Sequence, residues 1–175
     1  NRTFRVKIGN NFSHERSTEN GTPQGSVLSP LLFVILLEVL PKPPKGIKLS
    51  LYADDCAIWT SGKDINKIHK KTQTYLNKVH EALSNWGFKI SGDKSTYTLF
   101  TKNGDIRKKS ETHCLRLGST KLKKSETTRF LGVVFDQELS WKAHILDTAK
   151  RAEKRLNLLR AVTGLSWGLK KENLL

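Results

Sequence analysis

Apolar and polar residues alternate in several short stretches of the chain, as they do in half-buried strands. Residues 3–8 and 47–53 follow this pattern, and residues 56–60 form a further apolar stretch close behind. In this interpretation Asp54 and Asp55 alone connect the last two stretches. Because a two-residue connection has the length of a tight hairpin turn, the pattern predicts a hairpin with two aspartates at its tip.

Other stretches have the three- and four-residue spacing of apolar positions that is typical of helices. Residues 64–86 form the clearest one, and Gly87 is placed to end it. Residues 30–40 are apolar on all sides, which is typical of a buried helix. Ser29 is a suitable N-cap for that helix, and Pro30 is suitable as its first residue.

The rest of the chain predicts short strands followed by a last helix. The strands are expected at 94–101, 113–117 and 128–135. Asn103-Gly104 is a strong turn signal, and the helix is expected over 141–162. This order predicts an α+β fold, in which an antiparallel sheet has helices packed on one face and a helical extension follows.

The charge of the chain is strongly positive. Its 175 residues include 31 Lys and Arg against 16 Asp and Glu, which gives a net charge of +15. A charge of this size attracts polyanions, so nucleic acid is the first candidate partner and an anionic membrane surface the second. Four basic residues lie together along the predicted last helix: Lys150, Arg151, Lys154 and Arg155.

Cysteine usage and the apolar runs exclude two classes of protein. Cys56 and Cys114 are the two cysteines of the chain, which does not suggest a disulfide scaffold and favours a reducing compartment. The longest apolar run, at 31–40, is interrupted by Glu38 and is too short to span a bilayer. No membrane partner is therefore assigned.

The two aspartates of the predicted turn allow two interpretations. They are either solvated turn residues or the ligands of a cation. Mg²⁺ would relieve their mutual repulsion, since it accepts one or two carboxylates and completes its shell with water and substrate phosphates. The tetrapeptide Tyr52-Ala53-Asp54-Asp55 alone does not decide between them.

The stretch NGTPQGSVLSPLLF at 20–33 favours a site that binds a ligand. Gly25 lets the backbone approach a ligand closely, and the Gln24 amide both donates and accepts hydrogen bonds. The first N–H groups of the helix that follows suit a phosphate. The alternative is a helix-entry loop with ordinary caps.

Four motifs occur in order along the chain: NGTPQGSVLSPLLF, LYADDCAIW, NWGFKISGDKS and TRFLGVVFDQELSWKAHI. Together they closely resemble the reverse transcriptase of non-LTR retrotransposons of the insect Jockey-like type, across essentially all 175 residues. The resemblance implies that residues 1–140 are the later part of a right-hand polymerase palm and that residues 141–175 begin a helical thumb. It implies an RNA-directed DNA polymerase that uses Mg²⁺ or Mn²⁺, an RNA template, a DNA primer and deoxynucleoside triphosphates.

The resemblance also implies roles for individual residues. Asp54 and Asp55 match the paired aspartates that hold the metal. Lys94 is similar to a lysine near the departing pyrophosphate, although an ordinary exposed lysine is the alternative. The positions that match the nucleotide and template site are Pro23, Gln24, Gly25 and Tyr52. The positions that match the hairpin holding the primer end are Phe130, Leu131 and Gly132, for which a core strand is the alternative. The basic residues of the last helix match contacts to the template–primer backbone, and a solvated helix face is the alternative.

One feature of the family has no match in the chain. The family's third metal-binding carboxylate comes from an Asp upstream of the first motif, and the 19 residues before that motif contain no Asp. Glu15 and Glu19 lie there in a polar loop and do not fit. We therefore expect a fragment or decayed copy with half a metal site, inactive without an upstream part of the same polypeptide. We also expect exposed apolar surface on the helix at 30–40 or on the sheet.

Other functions remain as alternatives. A maturase-like or other cellular reverse transcriptase shares the Tyr-x-Asp-Asp hairpin, although FLGVVFDQELSWKAHI favours the retrotransposon branch. A non-catalytic remnant that binds RNA or DNA through its charge would show salt-sensitive affinity without metal dependence. A purely structural basic domain leaves the four motifs unexplained. The sequence does not fix the compartment, but an active element of this type needs access to the nucleus.

Overall fold

A computed structural model describes residues 2–18, 21 and 25–162 of the chain. Two compact units are present, Asn1–Leu40 and Pro41–Leu175. Within the described residues the fold is mixed α and β, with four α-helices and six two-stranded sheets. The prediction of both helices and antiparallel strands is confirmed, but the strands form separate pairs instead of one continuous sheet.

The first unit begins with two nested hairpins. The outer pair is β1 (Arg2–Phe4) with β4 (Arg16–Thr18), and the inner pair is β2 (Lys7–Ile8) with β3 (Asn11–Phe12). The prediction of one strand over 3–8 is wrong because the ladder stops between β1 and β2. There the Val6 N–H donates to the Ser13 hydroxyl at 2.9 Å instead of to a backbone carbonyl in a ladder.

Helix α1 (Leu28–Leu37) follows, and it begins earlier than predicted. Its N-cap is Val27, so Ser29 is not the cap and Pro30 is the third helical residue. Proline is tolerated there because the N–H groups of the first turn have no intrahelical partner. None of the residues of α1 is buried, so the helix is not the buried one that its composition suggested. The separate expectation of exposed apolar surface on this helix is confirmed, since side chains such as Leu31 and Val34 are exposed.

The second unit begins with the hairpin of β5 (Ile47–Tyr52) and β6 (Asp55–Thr60), followed by α2 (Ile65–Asn85). The Asp64 side chain caps α2 by accepting from the N–H groups of two residues in the first turn. Gly87 has a φ of +77°, the left-handed conformation that ends helices, as predicted.

Two different faces of α2 support the rest of the unit. Tyr75, on one face, donates to the Pro41 carbonyl at 2.7 Å and lies near Cys56 of the β5–β6 hairpin. Gln73, on another face, donates to the Arg116 carbonyl and accepts from its N–H, both at 2.8 Å. The two faces lie roughly 120° apart around the helix, because an α-helix has 3.6 residues per turn. Ile68 shares the face of Tyr75, and His69 and His80 share the face of Gln73.

Short strands and a small core cover the second face of α2. They are β7 (Thr96–Tyr97), β8 (Arg116–Leu117), β9 (Thr120–Lys121) and β10 (Lys123–Lys124). Strands β7 and β10 pair in parallel, against the antiparallel prediction. The core consists of Leu115, Leu117 and Leu122, with Leu76, Ile90 and Tyr97 packed around it.

Two predictions in this region need correction. The strand expected over 94–101 is confined to β7, because this stretch pairs with a partner strand of only two residues, β10. Asn103 and Gly104 do not form a hairpin turn. Instead, the Asn103 side chain caps α3 (Gly104–Lys109) by accepting from the N–H groups of Asp105 and Ile106. A 3-10 turn, Ser110–Thr112, follows directly.

The unit ends with a hairpin and a long helix. Strands β11 (Thr127–Phe130) and β12 (Val133–Asp136) pair antiparallel, and α4 (Lys142–Val162) follows. The structure therefore divides the strand predicted over 128–135 into two, while the last helix agrees closely with its prediction. An ion pair of 2.6 Å between Arg129 and Asp147 joins the hairpin to α4.

Candidate active site and nucleic-acid interface

The β5–β6 hairpin places the two aspartates at its tip, but not as the predicted pair of turn residues. Tyr52 pairs with Asp55 as the last pair of the ladder, so Ala53 and Asp54 form the turn. Ala53 has a φ of +49°, which is uncommon for a residue with a Cβ. Asp54 therefore lies in the turn, and Asp55 is the first residue of β6.

The register also separates the two faces of the hairpin. Alternation puts Tyr52 and Asp55 on one side and Leu51 and Cys56 on the other. Tyr52 is 64% exposed, and both aspartates are exposed as well. The hairpin thus presents a phenol and two carboxylates where a ligand can reach them.

The opposite side of the hairpin faces α2 through Cys56 and Tyr75. Tyr75 is 1% exposed, and burial raises its pKa, with a further contribution from the nearby Cys56. Desolvation also raises the pKa of the Cys56 thiol, although the residue as a whole is exposed. Both side chains are therefore neutral at neutral pH, and the charge at the tip of the hairpin comes from its aspartates.

The donor set of the tip suits a hard divalent cation. Oxygen ligands from one or two carboxylates, completed by water and substrate phosphates, are what Mg²⁺ accepts in proteins. In the part of the chain that the structure describes, no group of three or more His, Cys, Asp or Glu side chains is brought together. Asp54 and Asp55 are the carboxylates that the tip of the hairpin offers to such an ion.

The predicted nucleotide and template positions are only partly described. Pro23 and Gln24 lie outside the described residues. Gly25 has a φ of +86°, and no atom outside its immediate neighbours lies within 4 Å of the place where a Cβ would be. Glycine is therefore needed there for its backbone conformation and not for lack of space. The backbone is open on the side where a Cβ would be.

Lys94 lies in the loop between α2 and β7. This loop is held by Ser95, whose hydroxyl donates to the Ser91 carbonyl at 2.8 Å, and by the close packing of Gly92 on Thr120. Lys94 itself is exposed and makes no hydrogen bond or ion pair with the described residues. Its ammonium is available for an anion.

The predicted primer-holding residues form the tip of the β11–β12 hairpin. Phe130 pairs with Val133, which leaves Leu131 and Gly132 as the turn. Both turn residues have positive φ, +48° and +81°. Leu131 is 47% exposed, so the hairpin presents an apolar side chain from a strained position. The alternative of a single continuous core strand is wrong.

The four basic residues predicted on the last helix are all exposed on α4: Lys150, Arg151, Lys154 and Arg155. Arg151 is an exception among them because it pairs with Asp147 at 3.0 Å. Asp147 also pairs with Arg129, and the hydrogen bond from Arg129 holds the pKa of the Asp147 carboxyl below its usual range. The other three side chains make no ion pair with the described residues.

One residue that orients this region was missed from the sequence. Asp136 ends β12, and its carboxylate accepts from the N–H groups of Glu138, Ser140 and Trp141 at 3.1, 2.9 and 2.9 Å. These bonds, the one from Ser140 first, lower the pKa of Asp136. The sequence does contain a signal for this role, because an Asp just before a predicted helix often accepts hydrogen bonds from the backbone N–H groups that follow it. Asp136 thus fixes the direction in which α4 leaves the hairpin.

Comparison with protein families gives a match over most of the chain. Residues 1–135 match the family described as reverse transcriptase (RNA-dependent DNA polymerase). The match includes the β5–β6 hairpin and the tip of the β11–β12 hairpin, and it ends before α4.

Several curated insect proteins are similar to the chain. The probable RNA-directed DNA polymerase from transposon BS of Drosophila melanogaster is 30% identical over 91% of the chain and 18% of that protein. The RNA-directed DNA polymerases from mobile element jockey of Drosophila melanogaster and Drosophila funebris are 26% and 27% identical, over 82% and 98% of the chain and 16% and 18% of those proteins. The chain thus spans less than a fifth of these relatives.

No solved structure matches the chain. Among the described residues, no helix is long and apolar enough to cross a membrane.

Proposed function

Because the chain belongs to the reverse transcriptase family, in its non-LTR retrotransposon branch, we propose that it contributes the aspartate hairpin of an RNA-directed DNA polymerase. The observation that carries the proposal is the exposed pair Asp54 and Asp55 at a hairpin tip, in a strongly basic chain. In this reaction the 3′-hydroxyl of a DNA primer attacks the α-phosphate of a deoxynucleoside triphosphate. A new O–P bond forms, pyrophosphate leaves, and the hydroxyl proton passes to water.

The two aspartates hold a divalent ion, Mg²⁺ or Mn²⁺, in this proposal. The bound ion supplies positive charge at the phosphates and favours ionisation of the primer hydroxyl. Asp54 and Asp55 supply ligands without a counter-cation of their own, since neither makes an ion pair with the described residues. Tyr52, opposite Asp55 in the ladder, borders the same site and supports the incoming nucleotide.

The remaining predicted residues position the substrates. Pro23, Gln24 and Gly25 lie against the nucleotide and template, and the exposed Lys94 neutralises the departing pyrophosphate. Phe130, Leu131 and Gly132 hold the primer end through the tip of the β11–β12 hairpin. Lys150, Lys154 and Arg155 contact the nucleic-acid backbone, with Arg151 sharing its charge with Asp147. Catalysis in this scheme is mainly positioning and charge stabilisation.

The same proposal gives the chain a place in the polymerase hand. Residues 1–140 form the later part of the palm, and the segment from 141 begins the thumb. The sharp junction that Asp136 organises between β12 and α4 supports a boundary there. Asp54 and Asp55 supply two carboxylates, and we propose that a third comes from an upstream part of the same polypeptide. This chain alone then does not polymerise.

Primer extension on an RNA template with Mg²⁺ tests the proposal. We would compare this chain, a version continued upstream to include the family's third metal-binding aspartate, and that longer version with Asp54→Asn. Asp105→Asn in the longer version is the matched control, because Asp105 is an exposed aspartate outside the hairpin. We expect extension by the longer version and by its Asp105→Asn control, and a loss of at least about 100-fold in Asp54→Asn.

The same assay addresses the alternative function, a remnant that binds RNA or DNA without catalysis. Extension by the short chain would contradict the need for an upstream carboxylate. Absence of extension from all versions, with salt-sensitive RNA binding intact, would favour the binding remnant.

A further inference from the structure

The segment 104–126 forms a basic surface of the second unit, apart from that of α4. It contains seven Lys and Arg against three Asp and Glu. Its leucines Leu115, Leu117 and Leu122 form a buried core, so the charges project from a fixed framework. None of the large apolar side chains that are exposed in the described chain belongs to this segment.

A cavity of about 350 Å³ opens within the segment. Its charged and polar lining consists mainly of Lys121, Lys123, Lys124, His113 and Glu111. The lining therefore includes three lysines against one glutamate. This balance suits an anionic ligand with several oxygen acceptors, such as a phosphate group.

The wall of the cavity is held by hydrogen bonds. The Lys124 ammonium donates to the Ser110 hydroxyl at 2.7 Å, and that hydroxyl donates to the Arg107 carbonyl at 2.6 Å. Ser110 is 3% exposed, so this support is internal. Tyr97 donates to the His113 carbonyl at 2.8 Å and fixes the opposite side. The Lys124 ammonium retains further N–H donors for a ligand.

The other lysines of this surface have no protein partner within the described residues. This holds for the side chains of Lys108, Lys109, Lys121 and Lys123, which are exposed and make no hydrogen bond or ion pair there. A second cavity, next to the start of α2, is lined by lysines as well, and the side chains of Lys63 and Lys67 make no hydrogen bond or ion pair with the described residues there either. There Asp64 occupies the helix N–H groups, and the Lys71 ammonium donates to the Lys45 carbonyl.

We propose that this cavity and the lysines around it, the 104–126 surface, bind the phosphodiester backbone of a nucleic-acid strand. The proposal rests on the proposed function for its choice of nucleic acid among polyanions. An anionic membrane is the weaker fit because membrane-surface binding normally combines basic residues with exposed apolar ones. RNA and DNA share the recognised chemistry, so the test includes both.

The position of the surface makes it a separate contact from the aspartate hairpin. Strands β8 and β9 lie on the Gln73 face of α2, and the hairpin lies on the Tyr75 face, where Cys56 is near Tyr75. A nucleic-acid strand bound at the cavity would therefore lie on a different side of this helix from the aspartate hairpin. We infer that the 104–126 surface holds template or product away from the reacting end and strengthens binding without touching the reaction.

Charge-matched double variants of this chain test the proposal. Lys121→Ala with Lys123→Ala removes two ammonium groups from the cavity, and both residues are exposed with no side-chain partner. Lys70→Ala with Lys78→Ala removes two from the exposed side of α2 and is the control. The affinity of each for a labelled single-stranded RNA, and for DNA of the same sequence, is measured by fluorescence anisotropy over a range of salt concentrations.

We expect the cavity variant to lose affinity for both strands. The slope of log K against log salt should fall by about 1.4, since each phosphate contact to a single strand contributes about 0.7. The control should keep the slope of the unmodified chain. Equal losses in the two variants, or none in the cavity variant, would overturn the proposal, and thermal unfolding of both verifies that they are folded.

This result is independent of the proposed reaction. The longer polypeptide could fail to extend a primer while Lys121→Ala with Lys123→Ala still lowers the salt slope of this chain. That result would contradict the polymerase function and leave the binding surface standing. Photo-crosslinking of RNA adds a direct readout. Crosslinked peptides from 104–126 support the proposal, and crosslinks from α2 or α4 alone contradict it.

Discussion

Tyr52 and Asp55 form the last pair of the β5–β6 ladder, so the phenol and the carboxylate share the outward side of the hairpin. This register leaves Ala53 and Asp54 to make the turn. The two adjacent aspartates therefore have different backbone surroundings, one in a turn and one in a strand. The turn requires Ala53 to adopt a left-handed backbone conformation, which is unfavourable for a residue with a Cβ.

Replacing Ala53 by glycine should stabilise the protein. The φ of Ala53 is +49°, where a Cβ costs about 1–2 kcal/mol, and the greater freedom of glycine in the unfolded chain offsets about half of that gain. We expect the free energy of unfolding to rise by about 0.5–1 kcal/mol in urea denaturation. Ala57→Gly, within β6, is the control and should lower it by a similar amount. A destabilised Ala53→Gly would argue against this turn.

Leu131→Asn should separate stability from primer binding. Both turn residues of the β11–β12 hairpin have positive φ, which asparagine tolerates better than leucine, so stability should rise by about 0.5–1 kcal/mol. If the exposed leucine touches the primer end, affinity for a primer–template duplex should fall. Leu139, also left-handed with a φ of +54°, is the control, since Leu139→Asn should stabilise without weakening the duplex. Unchanged duplex affinity in Leu131→Asn would remove Leu131 from the primer contact.

Gly118→Ala should be strongly destabilising. Gly118 has a φ of +58°, and a Cβ there would lie 2.6 Å from the Nε2 atom of His80. Strain and overpacking together should lower the free energy of unfolding by about 2–4 kcal/mol. Gly104→Ala is the control, because no atom outside its neighbours lies within 4 Å of that Cβ. Similar stabilities for the two variants would show that β8 and β9 do not pack on α2 in this way.

Acid should loosen the junction between β12 and α4. The hydrogen bonds from Ser140, Glu138 and Trp141 lower the pKa of Asp136, so its ionised form stabilises the fold. That stabilisation is fully present above the unfolded pKa of about 3.9 and is lost as the pH falls through the lower folded value. We expect Asp136→Asn to flatten the decline of unfolding free energy in this acidic range. Identical acid profiles for the variant and the unmodified chain would exclude Asp136 as a contributor.

The fold was predictable where local signals agree with the packing. Gly87 ends α2 because glycine alone adopts its left-handed conformation cheaply, and the periodic helix over 64–86 needed no tertiary information. The Asn103-Gly104 signal failed because the same asparagine side chain that favours turns also caps helices. The parallel pairing of β7 with β10 joins residues far apart in sequence, which no local pattern encodes.

The candidate site was predictable by residue but not by geometry. The motif identified Asp54 and Asp55. The register that puts Asp54 in the turn and Asp55 in the strand depends on how β5 and β6 pair. The charge of α4 was evident, and the spacing of Asp147 and Arg151 on a helix is that of an ion pair. The second partner of Asp147, Arg129, depends on how α4 packs on the β11–β12 hairpin. The lysines around the cavity are close together in the sequence, at 121–124, but the Ser110 hydroxyl that Lys124 contacts comes beside them only when β10 folds next to the 3-10 turn.

Iron-mediated cleavage tests most directly whether the hairpin holds a metal. Fe²⁺ replaces Mg²⁺ in oxygen-ligand sites, and with ascorbate and peroxide it generates hydroxyl radicals that cut the backbone where it is bound. The chain is treated alone and in the presence of a primer–template duplex, beside the double variant Asp54→Asn with Asp55→Asn and the control Asp93→Asn. We predict cuts clustered at residues 52–56 that excess Mg²⁺ suppresses, that persist in Asp93→Asn, and that disappear in the double variant. Cuts confined to other segments, or an unchanged pattern in the double variant, would contradict a metal site at this hairpin.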